Sequence, residues 1–381
     1  MLPLEGLRVI ELCQFAAGPF AGLLLADMGA DVIKLEPPQG DDLRRWPPQT
    51  GGVSDNFTSI NRNKRSVALD LKDPGDLARA RALILSADAL VENFRPGVLE
   101  RLGLGYASLA QAKPALVYCS VSAFGQTGPR AQEGGFDLTM QAIAGVMSVT
   151  GEQGGGPVKC GVPISDFGTA LYAAFALVCA LRKAERTGVG EHVDVPMFGA
   201  TLGMAALQTS EYFGNRRDPV KLGSAHPRTA PYQAFRTSDG HVAIAAGNDR
   251  LWQSVCGLLG CEELLADPRF LTNALRAEHQ QALCALLEAR LAARTTAEWI
   301  ERLVAAGVPC APINTYSQAL AEPQAAHLGL VRTVKLPGGE EVRTVASPIR
   351  MTHQQFDIRL PPPQLGEHNE EVFAELAGRA G

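Results

Sequence analysis

Arg8-Val9-Ile10-Glu11-Leu12, then an apolar run opened by Gly18-Pro19 and closed near Gly29, then Asp31-Val32-Ile33-Lys34-Leu35-Glu36: this stretch decides the fold. The outer pieces are short and rich in β-branched residues, which predicts strands. Between them proline stands in a first helical turn and glycine at the stop, which predicts an apolar helix. Strand, helix, strand at this spacing is a βαβ unit with parallel strands. Working outward, further strands are expected at 66–71, 89–92 and 116–120, with gaps long enough for crossover helices. The class is α/β, a Rossmann-like large domain with a parallel sheet.

A long helix is expected from about Asp166 to Arg186, followed by a strand at 191–195. Residues 214–231 turn to Gly, Pro, Asn and Arg, the composition of a linker or an active-site loop. Asp239-Gly240 then signals a hairpin between 232–237 and 241–245, and helices follow at 251–259, 274–291 and 296–305. These make a smaller α+β domain. The expected boundaries are 1–213 for the large domain, 214–328 for the small one, and 329–381 for a segment that returns to the large domain.

The chain has 381 residues and is 46% hydrophobic, more than one compact core needs. Its 35 basic residues are scattered among 40 acidic ones for a net charge of -5, which speaks against a nucleic-acid partner. The amino terminus lacks a basic stretch before an apolar run, so no secretory leader is read there. The longest uninterrupted apolar stretch, 170–181, falls short of the roughly 20 residues that span a bilayer. A cytoplasmic protein without a membrane partner is expected. The 8 cysteines form no CxxC pair, which disfavours both disulfides and a metal site.

The turn after the first strand reads Phe15-Ala16-Ala17-Gly18-Pro19 and lacks GxGxxG, so neither NAD nor FAD is expected. Gly154-Gly155-Gly156 has no P-loop lysine and reads as a loop. Asp166, in Gly161-Val162-Pro163-Ile164-Ser165-Asp166, is the best catalytic candidate, since helix amino ends favour carboxylates. From spacing alone, a plain N-cap is the more ordinary reading. Asp41 and Asp42 before Arg44-Arg45 read as a solvated ion-pair cluster. No nucleophile elbow or HExxH helix is present.

Several strings, in order along the chain, resemble the class III CoA-transferase family. They are Gly29-Ala30-Asp31-Val32-Ile33-Lys34-Leu35-Glu36, Asn63-Lys64-Arg65-Ser66-Val67-Ala68-Leu69-Asp70-Leu71-Lys72 and Val91-Glu92-Asn93-Phe94-Arg95-Pro96-Gly97. Ser122-Ala123-Phe124-Gly125-Gln126-Thr127-Gly128-Pro129 and Leu365-Gly366-Glu367-His368 extend the likeness to the tail. The resemblance implies that Asp166 is a covalent nucleophile toward acyl-CoA, kept ionised by its helix end. It also implies that coenzyme A lies against Ala16, Ala17, Leu69, Lys72, Asn93, Phe94, Arg95, Arg101 and Asp137, with Lys72, Arg95 and Arg101 as phosphate partners. Read without it, those three cations are a solvated basic face. Ala16 stands where the formyl-CoA enzymes carry glutamine, which weakens a formyl or oxalyl assignment, and Pro37 where they carry arginine, which removes one expected adenine or phosphate contact.

The same fold includes α-methylacyl-CoA racemases, whose Gly-His-Asp string is here Gly135-Phe136-Asp137. Phenylalanine exchanges no proton, which argues against racemisation. The second half resembles the succinate–hydroxymethylglutarate CoA-transferase branch, through Gly223-Ser224-Ala225-His226-Pro227 and Pro231-Tyr232-Gln233-Ala234-Phe235 among others. That implies succinyl-CoA as donor and a dicarboxylate acceptor such as glutarate, itaconate, citramalate or hydroxymethylglutarate. Arg44, Arg45 and Arg228 are candidate partners for a distal carboxylate, with His226 on a loop over the site. An interlocked homodimer is implied as well. A CoA-binding protein without turnover is the contrasting reading, in which Asp166 is only a cap.

Overall fold

The computed structural model describes residues 1–379. Six strands form one parallel sheet: β1 (Arg8–Leu12), β2 (Asp31–Glu36), β3 (Lys64–Ala68), β4 (Ala89–Glu92), β5 (Val117–Ser122) and β6 (His192–Pro196). Their order across the sheet is β3-β2-β1-β4-β5-β6. This is the doubly wound order, in which the direction of winding reverses between β1 and β4. The helices that matter for the site are α1 (Ala17–Asp27), α2 (Pro74–Ser86), α3 (Asp137–Ile143), α4 (Ile164–Thr187) and α5 (Met197–Met204).

Alternate strand residues go to two cores, because side chains leave a strand on opposite faces. Val9, Val32, Val91 and Cys119 join Ala21 and Leu25 of α1 and Ala173 and Leu177 of α4 on one face. Ile10, Ile33, Leu90 and Tyr118 join Leu83 and Ile84 of α2 on the other. Burial on both faces is what a parallel sheet needs. β3 covers Lys64–Ala68 rather than 66–71, so Leu69 begins the loop leaving the sheet. α4 has 24 residues and begins two positions before Asp166. By length and composition it is able to cross a bilayer, contrary to the reading of 170–181 alone, which counted only uninterrupted apolar residues. Here it packs along α1 and α5 and against β5 and β6.

The strands also carry charge into the interior. Glu11, Lys34 and Lys64 are fully buried, with Lys34 Nζ 2.9 Å and Lys64 Nζ 2.8 Å from the Glu11 carboxylate. Asp41 joins them 3.0 Å from Lys34 and is itself fully buried. The solvated reading of Asp41 is therefore corrected: the loop after β2 turns it inward, while Asp42 pairs with Arg45 at the surface.

Contacts divide the chain into two units. One comprises Met1–Val146, Lys159–Arg217 and the chain from Pro323 onward; the other comprises Met147–Val158 and Asp218–Glu322. The glycine-rich loop at 154–156 thus falls in the second unit, where sequence reading had left it in the first. In that unit β7 (Tyr232–Arg236), β8 (His241–Ala245) and β9 (Cys310–Pro312) form an antiparallel sheet. Its core contains Phe235, Ile244, Trp252, Leu287 and Trp299. The single helix expected at 274–291 is two, Asn273–Glu278 and Gln280–Leu291, parted at His279. The tail of the first unit ends in α6 (Asn369–Arg379), where Glu375 lies 2.8 Å from Arg65 and 2.5 Å from Arg8.

Candidate active site

In doubly wound sheets ligands bind outside the carboxyl ends of the strands, where the winding reverses. Here that crevice lies between the turn after β1 and the turn after β4. Asn93 ties the two turns together: its Oδ1 accepts from the Gln14 N–H at 3.0 Å and its Nδ2 donates to the Gln14 carbonyl at 2.8 Å. Phe15 follows with φ of 64°, a left-handed conformation that side chains avoid unless their surroundings enforce it. Its N–H donates to Asp41 Oδ1 at 3.2 Å. The Phe15 ring meets Phe136 edge-on at 5.8 Å and Trp46 at 6.1 Å.

A cavity of about 320 Å³ opens at this point. Gln14, Phe15, Ala16 and Ala17 line it from the first turn, Asn93, Phe94 and Arg95 from the second, and Gly134, Gly135 and Phe136 from the approach to α3. Asp166 and Met197 complete it from the amino ends of α4 and α5. Helix packing brings Asp166 there: α1 and α4 lie side by side, and Phe20 meets Phe167 at 4.7 Å between ring centres. A second cavity of about 630 Å³ shares Gln14 and Phe94 with the first. Leu69, Lys72 and Arg101 line it, together with Pro37 and Leu35. The sequence candidates therefore divide into an acyl-sized chamber around Asp166 and a larger one carrying two exposed cations.

Asp166 is the third residue of α4, not its N-cap. The N-cap position is Pro163, which offers no side-chain acceptor. Asp137 supplies that service from α3: its Oδ1 accepts from the Ser165 N–H at 3.0 Å and its Oδ2 from Gln141 Nε2 at 2.8 Å. Capping by Asp137 leaves the Asp166 carboxylate available for other work. Asp137 itself is buried and holds the helix end through Ser165.

Burial, and after it the charge of Asp137, push the Asp166 carboxyl up to about 7. Both causes oppose the ionised form that the helix end was expected to favour. A carboxylate with that basicity, shielded from water, is a stronger nucleophile than an exposed one. Glu92, beneath the second turn, is raised to about 7 by burial and accepts from the Phe94 N–H at 2.8 Å.

The expected partners for a distal carboxylate are placed differently. Arg44 is forked onto Glu36 at 2.6 and 2.7 Å, donates to the Pro363 carbonyl at 3.0 Å and stacks on Phe57. Its guanidinium is thus engaged by Glu36. Arg45 is occupied by Asp42 at the surface. His226 and Arg228 belong to the second unit, where His226 Nδ1 accepts from the Arg228 N–H at 3.2 Å and its ring meets Tyr232. Arg95 is the cation that lines the Asp166 chamber among the described residues. Sequence reasoning missed Gln14 and Phe15, whose only signal was their place in the turn after β1. Phe136 was noted for the chemistry it lacks, not for the wall it builds.

With this geometry in view, comparison with known proteins gives a consistent answer. The profile of CoA-transferase family III matches residues 4–369, so the chain belongs to that family and is a class III CoA-transferase. Among its relatives is succinate–glutarate CoA-transferase of Agrobacterium fabrum, 39% identical, with 98% of this chain and 96% of that protein covered. Acetyl-CoA:oxalate CoA-transferase of Acetobacter aceti is 40% identical, covering 98% of this chain and 96% of that one. A CAIB/BAIF family protein from Brucella suis superposes with a TM-score of 0.88 at 39% identity, covering 98% and 99% of the two chains.

Proposed function

We propose that this enzyme moves coenzyme A from succinyl-CoA to a small dicarboxylic acid through covalent intermediates on Asp166. The observation that carries the proposal is the Asp166 carboxylate itself, relieved of capping and facing a chamber that shares Gln14 and Phe94 with a larger cation-lined cavity. An Asp166 oxygen attacks the thioester carbon; the C–S bond breaks, CoA thiolate leaves and a mixed anhydride remains. The thiolate then attacks the aspartyl carbonyl carbon, succinate departs, and an aspartyl-CoA thioester forms. The acceptor carboxylate runs the two steps in reverse and returns Asp166 as a carboxylate. No net proton is taken up, and each step replaces one difficult displacement by two easier ones.

Coenzyme A is the only cofactor this chemistry uses, as substrate. Lys72 and Arg101 suit its phosphates, since cationic donors favour those oxygens. Arg95, Asn93, Phe94, Leu69, Ala16 and Ala17 border its path in the same reading. The succinyl donor and a dicarboxylate such as glutarate, itaconate, citramalate or hydroxymethylglutarate are supported by relatives named for glutarate, mesaconate and citramalate at 34–39% identity. Oxalate in the name of an equally similar relative keeps it on the panel. A cytoplasmic setting and an interlocked homodimer are what we infer from the family likeness.

The test is a panel of carboxylic acids offered with succinyl-CoA, acetyl-CoA or formyl-CoA, with new CoA esters read by mass spectrometry. The reading expects the fastest transfer from succinyl-CoA to a C4–C6 dicarboxylate. Preference for monocarboxylate acceptors, or α-proton exchange without change of CoA partner, contradicts it.

A further inference from the structure

The buried charges between the first three strands hold the turn that forms one wall of the Asp166 chamber. Lys34 Nζ donates to the Cys13 carbonyl at 2.7 Å, at the entrance of the turn. Lys64 Nζ donates to the Pro19 carbonyl at 2.7 Å, at its exit, and to Asn61 Oδ1 at 2.8 Å. Between them Asp41 Oδ1 accepts from the Phe15 N–H at 3.2 Å. The same oxygen accepts from the Leu43 N–H at 3.0 Å, while the Asp41 N–H donates to Glu36. Glu11 lies between the two lysines and contacts both. Two carboxylates and two ammonium groups make the cluster neutral, and all four are fully buried.

An ion cluster without solvent is poor evidence for stability, because desolvation consumes most of the attraction. It is good evidence for fixed geometry. Three of its contacts fall on backbone atoms of the turn and of the start of α1 that follows it, and that turn contains a phenylalanine held at φ of 64°. Such a conformation persists only where surroundings over-determine it. Gln14, Phe15, Ala16 and Ala17, the residues so held, line the same chamber as Asp166.

We propose that Asp41, anchored by Lys34, is a positioning residue for CoA transfer: it holds the Phe15 amide, and with it the wall against which the acyl group meets Asp166. Asp41 touches no substrate in this arrangement. The inference rests on the transferase reading above.

The experiment compares Asp41→Ala with Asp41→Asn, which keeps an acceptor for the Phe15 N–H while removing the charge. Turnover, KM for the CoA ester and melting temperature are measured for each, with assays run equally far below each variant's midpoint. A misplaced reacting group costs about 10- to 100-fold in rate. Asp41→Ala is expected to lose that much in kcat while KM changes less than about threefold. Asp41→Asn is expected to recover most of the turnover even where its melting temperature falls as far. Equal loss of kcat in both variants, or unchanged kcat in folded Asp41→Ala, overturns the inference. If Asp41→Ala does not fold, Asp41→Asn decides alone: turnover within about threefold of the unaltered enzyme supports the role, and a loss of tenfold or more overturns it. Failure of the transferase reading would show differently, as absence of CoA transfer in the unaltered protein.

Discussion

At the amino end of α4 the capping falls to Asp137, and the nucleophilic role is the one we propose for Asp166. Asp137 caps α4 from a position 28 residues earlier in the chain, and Asp166 is left to face the chamber. The candidate nucleophile was legible from its place at the start of a long helix, but the capping by Asp137 was not, because the capping residue comes from another element. Arg44 shows the same limit: nothing local announces that its guanidinium folds back onto Glu36. The pairing of the two aspartates has a pH consequence. Burial and the Asp137 charge raise the Asp166 carboxyl to about 7, so the folded protein holds that proton at a pH where the unfolded chain has released it. Stability from this group therefore falls as pH rises from the ordinary aspartate range toward 7, while the nucleophilic form grows over the same interval. Transfer rate should rise with pH through an acid limb near 7. Asp137→Asn removes the like charge and should move that limb down by about one pH unit. A kcat/KM profile measured in both proteins checks it; an unmoved limb would mean that Asp137 does not act on the nucleophile.

At the scale of elements, β1, β2 and β4 were read at their observed bounds, because burial on both faces leaves short apolar segments centred on Val and Ile or Leu and Val. What hydropathy could not reveal is that Glu11 of β1, Lys34 of β2 and Lys64 of β3 are fully buried. Charged residues are ordinarily assigned to the surface, and only partners from three separate strands make their burial tolerable. The helix α1 is fitted to this cluster. A Cβ on Gly22 would stand 1.9 Å from Glu11 Oε2, so glycine here is required by close approach of helix to strand, not by chain flexibility. Gly22→Ala should destabilise the fold by about 1–3 kcal/mol through overpacking. Urea denaturation followed by circular dichroism measures the shift; a midpoint equal to that of the unaltered protein would show that the cluster yields freely.

At the scale of the molecule, the order β3-β2-β1-β4-β5-β6 explains why residues far apart in sequence meet at one crevice. The turns after β1 and β4 are neighbours only because the winding reverses between them, and α4 reaches them by lying along α1. Sequence patterning found the βαβ units and the change of composition after residue 213, yet it left 147–158 in the wrong unit. Membership there is set by contacts with segments distant along the chain, to which local composition is blind. The tail, by contrast, was expected to return to the first unit, and Arg8 and Arg65 meet Glu375 there. The proposed chemistry asks one carboxylate, that of Asp166, to be bonded in turn to an acyl group and to sulfur. The most direct test is to incubate the protein with succinyl-CoA, add hydroxylamine, and sequence the peptides by mass spectrometry. The account predicts a hydroxamate on Asp166 that depends on the CoA ester and is absent from Asp166→Ala, which should lose transfer by about 1,000-fold or more. An unmodified Asp166 in a protein that is transferring CoA would contradict it.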